Sequence, residues 1–454
     1  MKKRLFFTLI LIFLLLSTFA APAMAASVPA HQARAVILAD GITGDILYAH
    51  NPHERIHPAS TTKIMTVLLA VEAMDRGEFT IGDSLTTTYA ALADMIPAGS
   101  SIGLEVGEEM SFESLVYAAM LVSANDASNV LAEYIGGSIP GFIQMMNDRA
   151  RELGALNTNF TNAHGLTGDN HFTTAYDMFQ ISRGAIANAR FVEIANTLEQ
   201  AHPSTNMRPA GVFTSTNHMA DPDSPHHYPG LAGIKTGYTM AAGFCFVSTA
   251  TRVSETTEED IFFIAVVMGV SIGEALDQID EGSPTHFTET ALLYDWAFST
   301  FDYAQILSMT EEIDRVPVAL GDGAEDVGLR PANYISVLTR HGSAEHIRRE
   351  ITLFDQGEEP GEGLTAPVQQ GDVLGEITLH YGDRSFGPIP LVAAESVRLS
   401  QVAYIQSEFA TTLDSLWVQG AIGALLLLFF LYIIYAIRHA IVRRRRRRAR
   451  LRRR

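Results

Sequence analysis

A serine and a lysine with the spacing of a nucleophile and its base stand at the start of a long apolar run, PASTTKIMTVLLAVEAMDRG, residues 58–77. Ser60 and Lys63 are three positions apart, so on a helix their side chains share one face and can meet. The run that follows has almost no polar face, which predicts a helix buried in a sizeable domain. Burial favours the neutral form of an amine, and a neutral amine can take the proton of an adjacent serine.

The alternative is that Ser60 only caps this helix and that Lys63 is a solvated residue of the first turn. Lysine usage argues against this alternative. The chain has four lysines, two of them at positions 2 and 3, so the rest of the chain keeps only Lys63 and Lys235. Arginine would serve wherever charge alone mattered, whereas a lysine can lose its proton when it is desolvated and presents a compact ammonium. Both positions therefore indicate a need for an amine.

Two further segments could contribute to the same chemistry. Lys235 lies in GIKTGYT, just ahead of an apolar strand pattern, where the alternative is a glycine-rich strand end with a surface lysine. Ser123 and Asn125 lie in LVSANDASNVL, where the alternative is a helix break with Asn125 or Asp126 as its cap. In chain order, however, S-x-x-K, S-x-N and K-T-G form a set in which a serine attacks while amines and hydroxyls move protons. Together they favour nucleophilic catalysis by Ser60.

Both ends of the chain carry patterns typical of membrane targeting. Residues 1–25 combine a basic start, an apolar stretch and a small-residue tripeptide, which predicts a cleaved signal peptide. The uncharged segment Ser415–Ile437 has 23 residues, about 35 Å as a helix at ~1.5 Å per residue, which is enough to cross a bilayer. Eleven arginines follow between Arg438 and Arg454, and cationic flanks stay on the cytoplasmic side. We therefore expect a single-pass membrane protein whose central part lies outside the cell.

Charge excludes some functions. Of the 32 basic residues, three lie in the signal segment and eleven in the tail, so 18 remain against all 51 acidic residues and the exported part carries about 33 net negative charges. Such a surface repels polyanions, and the arginine tail directly follows a spanning segment, so no nucleic-acid partner is expected. The single cysteine, Cys245, rules out an internal disulfide and is expected to be a small buried residue.

The patterns between the two ends predict two domains. Alternating apolar residues at 35–49 predict a β-hairpin, and five further segments, the last of them Thr288–Phe301, have helical periodicity. Two apolar runs near 243–270 predict adjacent core strands, and together these patterns indicate an α+β domain. Short β-rich runs separated by Gly, Pro and acidic turns follow, which is typical of a small all-β domain. The predicted organisation is a signal peptide (1–25), an α+β catalytic domain (26–303), an all-β C-terminal domain (304–398), a juxtamembrane amphipathic helix (399–415), a transmembrane helix (416–437) and an arginine-rich cytoplasmic tail (438–454).

With these motifs the sequence resembles the serine D-alanyl-D-alanine carboxypeptidases, which are low-molecular-weight penicillin-binding proteins. The three motifs have similar separations, here 63 residues from Ser60 to Ser123 and 112 from Ser123 to Lys235. The likeness extends to PASTTKIMT, NAHGLTGDNHFTTAYDM, STNHM and PGLAGIKTGYTMAAGFCFVSTATR in the catalytic domain, and to APVQQGDVLGEITLHYGD and GPIPLVAAESV in the β domain. One departure is Ala124, where glycine is usual in the family. The resemblance implies a β-lactamase/penicillin-binding-protein-like catalytic fold.

The resemblance also implies a mechanism. Ser60 attacks the carbonyl of the penultimate D-alanine of a cell-wall stem peptide, with Lys63 as its base, and Ser123 relays a proton to the leaving amine. Asn125 orients Lys63 and the substrate amide. Lys235 and Thr236 hold the terminal carboxylate. Gly237 lets the strand approach the substrate, and the backbone amides of Ser60 and Tyr238 form the oxyanion hole. His164 is expected to shape a loop rather than to take the catalytic proton.

The implied partners are peptidoglycan stem peptides ending in D-Ala-D-Ala, β-lactam antibiotics as covalent inhibitors, and the bacterial cell membrane. No cofactor or metal is expected. A zinc carboxypeptidase is disfavoured because His218, His226 and His227 do not form an H-E-x-x-H or similar motif. A class A β-lactamase is disfavoured because no E-x-x-L-N element is found between Ser123 and Lys235. A penicillin sensor that is acylated without turnover remains open.

Overall fold

The structure is a computed structural model that describes residues 28, 30–96, 99–271, 285–341, 347–354, 364–382 and 384–451. The predicted signal peptide, residues 1–25, lies outside the described residues. By its internal contacts the chain divides into two compact units. The first runs to Ala304 and includes Leu338–His341, and the second contains Gln305–Val337 and the residues after His341.

The helices, numbered along the chain, are α1 (Lys63–Asp75), α2 (Tyr89–Leu92), α3 (Phe112–Met120), α4 (Asn125–Ile135), α5 (Ile139–Glu152), α6 (Ala175–Ile186), α7 (Ala189–Asn196), α8 (His286–Thr300), α9 (Gln401–Asp414) and α10 (Leu416–Leu451). The strands of the first unit are β1 (Ala35–Asp40), β2 (Ile46–His50), β3 (Ser84–Thr86), β4 (Glu109–Ser111), β5 (Glu199–His202), β6 (Gly211–Thr214), β7 (Leu231–Thr239), β8 (Gly243–Val253) and β9 (Asp260–Val270). The later strands are β10 (Phe301–Leu307), β11 (Asp314–Ala319), β12 (Asp326–Pro331), β13 (Ile335–Arg340), β14 (Arg348–Leu353), β15 (Leu364–Thr365), β16 (Val373–Tyr381) and β17 (Arg384–Ala393).

A five-stranded antiparallel sheet forms the centre of the first unit, in the order β2-β1-β9-β8-β7. Both of its faces are covered, which explains why β8 and β9 consist of nearly continuous apolar runs rather than alternating ones. In β1, Ile37 belongs to the apolar core on one face and Leu38 to the core on the other. The edge strand β7 carries the K-T-G motif and contacts the 3-10 turn Ala59–Thr62.

Helix α1 is the centre of the larger core. Every residue from Lys63 to Val71 is buried, and the helix contacts α3, α4 and α6. An amphipathic stripe is absent because apolar side chains are needed all round the helix. Gly77, with φ +74°, follows the end of α1 and supplies the left-handed residue that commonly terminates a helix.

The second unit contains a six-stranded sheet in the order β14-β16-β17-β12-β11-β15, which confirms the all-β C-terminal domain. Helices α9 and α10 follow it. Among the described residues, one helical segment has the length and apolar composition to cross a membrane, namely residues 416–446 of α10. The helix continues to Leu451, so the predicted tail from residue 438 is helical in its described part.

The predicted α+β class with an all-β domain is therefore confirmed, but the predicted position of Ser60 on an α-helix is wrong. The sequence pattern placed Ser60 on the same helix as Lys63, whereas Ser60 lies in the 3-10 turn Ala59–Thr62 and α1 begins at Lys63. A 3-10 turn brings residues i and i+3 onto one side even more directly than an α-helix does. The two side chains consequently still meet.

Candidate active site

The turn that carries Ser60 is held in place by its backbone. Ala59 has φ +50°, outside the helical region, and is fully buried. Gly165, with φ +94°, packs so closely on this turn that a Cβ atom there would lie 1.9 Å from the carbonyl oxygen of Ala59. Thr61 Oγ1 donates a hydrogen bond of 2.6 Å to the carbonyl oxygen of Pro58. Contacts from a distant loop thus fix the position of the predicted nucleophile.

The amine of Lys63 is enclosed by three oxygen atoms. Its Nζ lies 3.2 Å from Ser60 Oγ, 2.7 Å from Asn125 Oδ1 and 2.7 Å from the carbonyl oxygen of His164. None of the lysine side chain is exposed. Burial, and next the positive charge of Lys235, hold the pKa of Lys63 well below its ordinary value, while Asp126 acts weakly in the opposite direction. The arrangement therefore favours a neutral amine beside the serine hydroxyl.

Ser123 precedes α4 in an unusual conformation. Its φ is +61°, and α4 begins two residues later at Asn125. The Ser123 hydroxyl is buried and has no hydrogen-bond partner among the described residues. The chain is anchored here by the backbone amide of Asn125, which donates 2.9 Å to the carbonyl oxygen of Ser100. Asp126 accepts hydrogen bonds from Ser101 Oγ and from the Leu104 amide, which ties the preceding loop to α4.

Edge strand β7 supplies the K-T-G motif. Lys235 is buried, and its Nζ has no hydrogen-bond partner in the described part of the chain. Burial lowers the pKa of Lys235 to about 7. Thr236 Oγ1 lies 2.7 Å from Thr216 Oγ1, so two hydroxyls meet next to the lysine. Tyr238 is exposed, and its ring packs at a tilt against that of Phe244, with centroids 4.4 Å apart.

Gly237 is the point of closest approach between β7 and the turn. A Cβ atom on Gly237 would lie 2.9 Å from the backbone nitrogen of Ser60 and 3.1 Å from that of Thr61. Any side chain here would therefore have to displace backbone rather than a flexible neighbour. The glycine brings the backbone of β7 next to the amide of Ser60.

An open cavity of about 620 Å³ contains Ser60 in its wall. Asn125 and Tyr238 also line it, whereas the other predicted site residues, Lys63, Ser123, Lys235, Thr236 and Gly237, are not among the described residues that line it. Its walls further include Asp94, His164, Thr239 and Met240. Ser60 thus lies at a surface that a peptide can reach, and its amine partner lies in the protein interior.

Two groups near the site were not found from the sequence. Thr216 belongs to STNHM, and nothing in its spacing indicates that it meets Thr236. Asp94 stands alone in a loop without a motif, yet its Oδ2 lies 3.0 Å from His164 Nε2. The backbone amide of Leu166 donates to His164 Nδ1, so His164 carries its ring hydrogen on Nε2 and donates it to Asp94. Burial lowers the pKa of His164, which agrees with a neutral ring.

The histidines considered for metal binding lie elsewhere. His218 and His226 pack against the ring of Phe287, with ring centroids 5.9 Å and 5.3 Å apart. Among the residues that the structure describes, no group of three or more His, Cys, Asp and Glu side chains could hold a metal ion. Cys245 is fully buried in β8, and burial raises the pKa of its thiol to about 12. The side chains gathered around Ser60 suit nucleophilic catalysis.

Comparison with known proteins relates both units to one group of proteins. Residues 22–271 match the family described as D-alanyl-D-alanine carboxypeptidase, and residues 301–398 match the penicillin-binding protein 5 C-terminal domain. The chain is 32% identical over 403 residues to a D-alanyl-D-alanine carboxypeptidase, DacF, of Bacillus subtilis, covering 87% of this chain and 95% of that protein. It is 31% identical to DacC of Escherichia coli, covering 85% and 89%.

Solved structures give the same result. The chain is similar to penicillin-binding protein 5 of Haemophilus influenzae, with a TM-score of 0.56, 27% identity, and coverage of 82% of this chain and 98% of that one. It is also similar to penicillin-binding protein 6B of Escherichia coli, with a TM-score of 0.57, 26% identity, and coverage of 82% and 98%.

Proposed function

Since the chain belongs to the D-alanyl-D-alanine carboxypeptidase family, a family of serine hydrolases, we propose that it removes the terminal D-alanine from peptidoglycan stem peptides through an acyl-enzyme on Ser60. The observation that carries the proposal is the enclosure of the Lys63 amine, 3.2 Å from Ser60 Oγ, in a fully buried position. This geometry supports the proposal, because a weak hydroxyl nucleophile needs an adjacent base, and burial holds the pKa of the Lys63 amine well below its ordinary value.

Counting hydrogens supports the direction of proton transfer. A neutral amine has two N–H donors and one lone pair. The two contacts of 2.7 Å, to Asn125 Oδ1 and the His164 carbonyl oxygen, take both donors. The lone pair is then left for the hydroxyl of Ser60, which donates its hydrogen to Lys63 Nζ. Asn125 and His164 thereby orient the base as well as pack against it.

The reaction proceeds in two steps. Ser60 Oγ attacks the carbonyl carbon of the penultimate D-alanine while its proton passes to Lys63. The C–N bond then breaks, and the leaving D-alanine takes a proton. Ser123 would relay that proton, a role supported by its motif and by its buried hydroxyl, which has no partner in the described chain. Water subsequently hydrolyses the Ser60 ester, which releases the shortened peptide and restores the hydroxyl.

Specificity for a C-terminal D-alanine requires recognition of a carboxylate. Lys235 provides a buried amine without a partner in the described chain, and a carboxylate ligand would supply one. Ion pairing with the ligand favours the charged form, so substrate binding would raise the pKa of Lys235 above its free value of about 7. The paired hydroxyls of Thr236 and Thr216 add donors for the carboxylate oxygens.

The developing oxyanion is assigned to two backbone amides, those of Ser60 and Tyr238. The close approach of Gly237 to the Ser60 nitrogen supports this assignment, because it brings β7 next to the turn. A donor in such a hole typically lowers the barrier by ~3 kcal/mol.

The cellular location forms part of the proposal. Helix α10 would anchor the chain in the bacterial cell membrane as a single pass, with the arginine-rich end in the cytoplasm and the carboxypeptidase unit on the outer face. The stem peptides of the cell wall lie on that face.

A direct assay tests the function. The full-length protein in detergent is incubated with a peptide ending in D-Ala-D-Ala, and released D-alanine is quantified with and without benzylpenicillin. Release that penicillin blocks supports the proposal. Stable penicillin labelling without release would indicate a sensor, rapid penicillin breakdown would indicate a β-lactamase, and loss of release on adding EDTA would indicate a metalloenzyme; each of these outcomes overturns it.

A further inference from the structure

The wall of the cavity that contains Ser60 carries a single charged side chain among the described residues, that of Asp94. The other described lining residues are apolar, glycine or neutral polar. Arginine and lysine are absent from this described lining, so no cation there neutralises the carboxylate. A lone carboxylate at the rim of a substrate cavity is a feature that selects for positive charge in a ligand.

The contacts of Asp94 do not cancel its charge. Its Oδ2 accepts from His164 Nε2 at 3.0 Å and its Oδ1 accepts from Asn129 Nδ2 at 2.7 Å. Both donors are neutral, because His164 Nδ1 accepts a hydrogen bond from the Leu166 amide. A carboxylate has about four acceptor sites, so about two remain. The side chain is 52% exposed, which leaves these sites accessible to a ligand.

Asp94 is also connected to the catalytic amine. The carbonyl oxygen of His164 accepts from Lys63 Nζ at 2.7 Å, and the ring of the same residue donates to Asp94. His164 therefore contacts both the amine of Lys63 and the carboxylate of Asp94. In the proposed function Lys235 attracts the negative end of the substrate, so Asp94 offers a counterpart for a positive group located further along the peptide.

We propose that Asp94 binds a side-chain primary amine on the residue that precedes the two D-alanines of the stem peptide. This inference rests on the proposed function. That residue begins one position, about 3.5 Å of chain, before the scissile unit. Ser60 and Asp94 line the same cavity, and His164 alone links the Lys63 amine to Asp94, so a long aliphatic side chain with a terminal amine suits this interval. A carboxylate at the same place would be repelled. The site therefore selects stem peptides by the free amine at this position.

Two peptides and one substitution test the proposal. The peptides end in L-Lys-D-Ala-D-Ala and differ only in whether the lysine Nε is free or acetylated. The full-length protein should show a kcat/KM about tenfold higher for the free amine, and Asp94→Asn should remove most of that preference. Raising the salt concentration should weaken the preference of the unaltered protein, because the pair is partly exposed.

The ratio between the two peptides separates the outcomes. If Asp94 only positions His164, Asp94→Asn lowers kcat/KM for both peptides by the same factor, and the proposal is overturned. If neither peptide releases D-alanine with the unaltered protein, the proposed function fails instead. Asp148→Asn, on the exposed face of α5, makes the same change in net charge outside the cavity and should leave the ratio unchanged.

Discussion

Gly237 of strand β7 lies against the backbone nitrogen of Ser60, so closely that a Cβ atom would be 2.9 Å away. The contact joins the edge of the central sheet to the 3-10 turn in front of α1. Because both sides of it are backbone, neither can adjust by a change of rotamer. The position of the Ser60 amide relative to β7 therefore depends on the absence of a side chain at residue 237.

We predict that Gly237→Ala lowers kcat by about 10²–10³-fold, because the added methyl group pushes β7 away from the turn and disturbs the amide donors. The free energy of unfolding should fall by about 1–3 kcal/mol, as for other overpacked positions. Steady-state kinetics and thermal unfolding of the full-length protein measure the two effects. Gly82→Ala is the matched control, since a Cβ atom there meets no atom within 4 Å. An unchanged kcat in Gly237→Ala would contradict the proposed oxyanion hole.

Replacing the proposed nucleophile should abolish covalent chemistry but not the fold. We predict that Ser60→Ala lowers D-alanine release by at least about 10⁴-fold and eliminates labelling by fluorescent penicillin. The substitution removes only a hydroxyl group, whose contact with Lys63 Nζ is 3.2 Å long, so the unfolding temperature should change little. Ser114→Ala, at a buried serine of α3, is the control and should retain labelling. Persistent labelling of Ser60→Ala would place the nucleophile elsewhere.

The two lysines should shape the pH profile in opposite directions. As pH falls, Lys63 gains the proton that it must lack to act as base, so acylation should slow. As pH rises through about 7 in the free protein, Lys235 loses its charge and carboxylate binding should weaken. The profile of kcat/KM should therefore be bell-shaped.

A substrate without the C-terminal carboxylate tests whether Lys235 causes the fall of kcat/KM at alkaline pH. With a peptide ending in D-alanine amide, the fall above about pH 7 should disappear, while the acid limb set by Lys63 should remain. The alkaline limb of kcat for the free-acid peptide should lie at higher pH than that of kcat/KM, because bound carboxylate raises the pKa of Lys235. An alkaline limb that persists with the amide peptide would assign it to another group.

The sequence predicted the local part of the site and not its long-range contacts. Ser60 and Lys63 are three residues apart, so any helical turn brings them together. The carbonyl oxygen of His164 lies 101 residues from Lys63 in sequence, and its role as an acceptor depends on how the intervening chain folds. Backbone carbonyls carry no residue-specific signal, which is why spacing could not reveal it. Asp94 could not be identified from the sequence either, because a lone aspartate in a loop matches no motif.

Two helices end or begin at residues other than those that the sequence patterns predict. At these ends, capping hydrogen bonds and helix propensity outweigh the apolar periodicity. The apolar pattern predicted a helix over Thr288–Phe301, whereas α8 begins at His286, because Thr285 forms a capping box with Thr288. At the C-terminus, hydropathy ended the spanning segment at Ile437, but α10 continues through the arginines. Arginine is a strong helix former, and no glycine or proline interrupts this stretch.

Cysteine labelling can establish the orientation. Because Cys245 is the only cysteine and is fully buried, the unaltered chain should resist a membrane-impermeant maleimide. Met309→Cys, at a position 51% exposed, should be labelled in intact cells. Val442→Cys, directly before the run of arginines that begins at Arg443, should be labelled only after the membrane is permeabilised. Labelling of residue 442 in intact cells would place the arginine-rich end outside.

Buried Lys235 reduces the free energy of unfolding in a pH-dependent way. Its pKa is about 7 in the folded protein and 10.5 in the unfolded chain, so between these values the unfolded chain binds the extra proton and the lysine destabilises the fold. The destabilisation is greatest at and below about pH 7 and vanishes above 10.5. Lys235→Met should therefore stabilise the protein at pH 7 by an amount on the order of a few kcal/mol, and less at pH 9.5.

The same substitution should harm function, because it removes the cation for the carboxylate. We expect KM for the free-acid peptide to rise at least about tenfold in Lys235→Met, with a smaller change for the amide peptide. Thermal unfolding at the two pH values and kinetics with both peptides measure the effects. Lys235→Arg is the control for charge: it keeps a cation but cannot lose its proton, so it should lower stability at both pH values. If Lys235→Met were less stable than the parent at pH 7, the buried amine would be making stabilising contacts, and its assignment to an incoming carboxylate would fail.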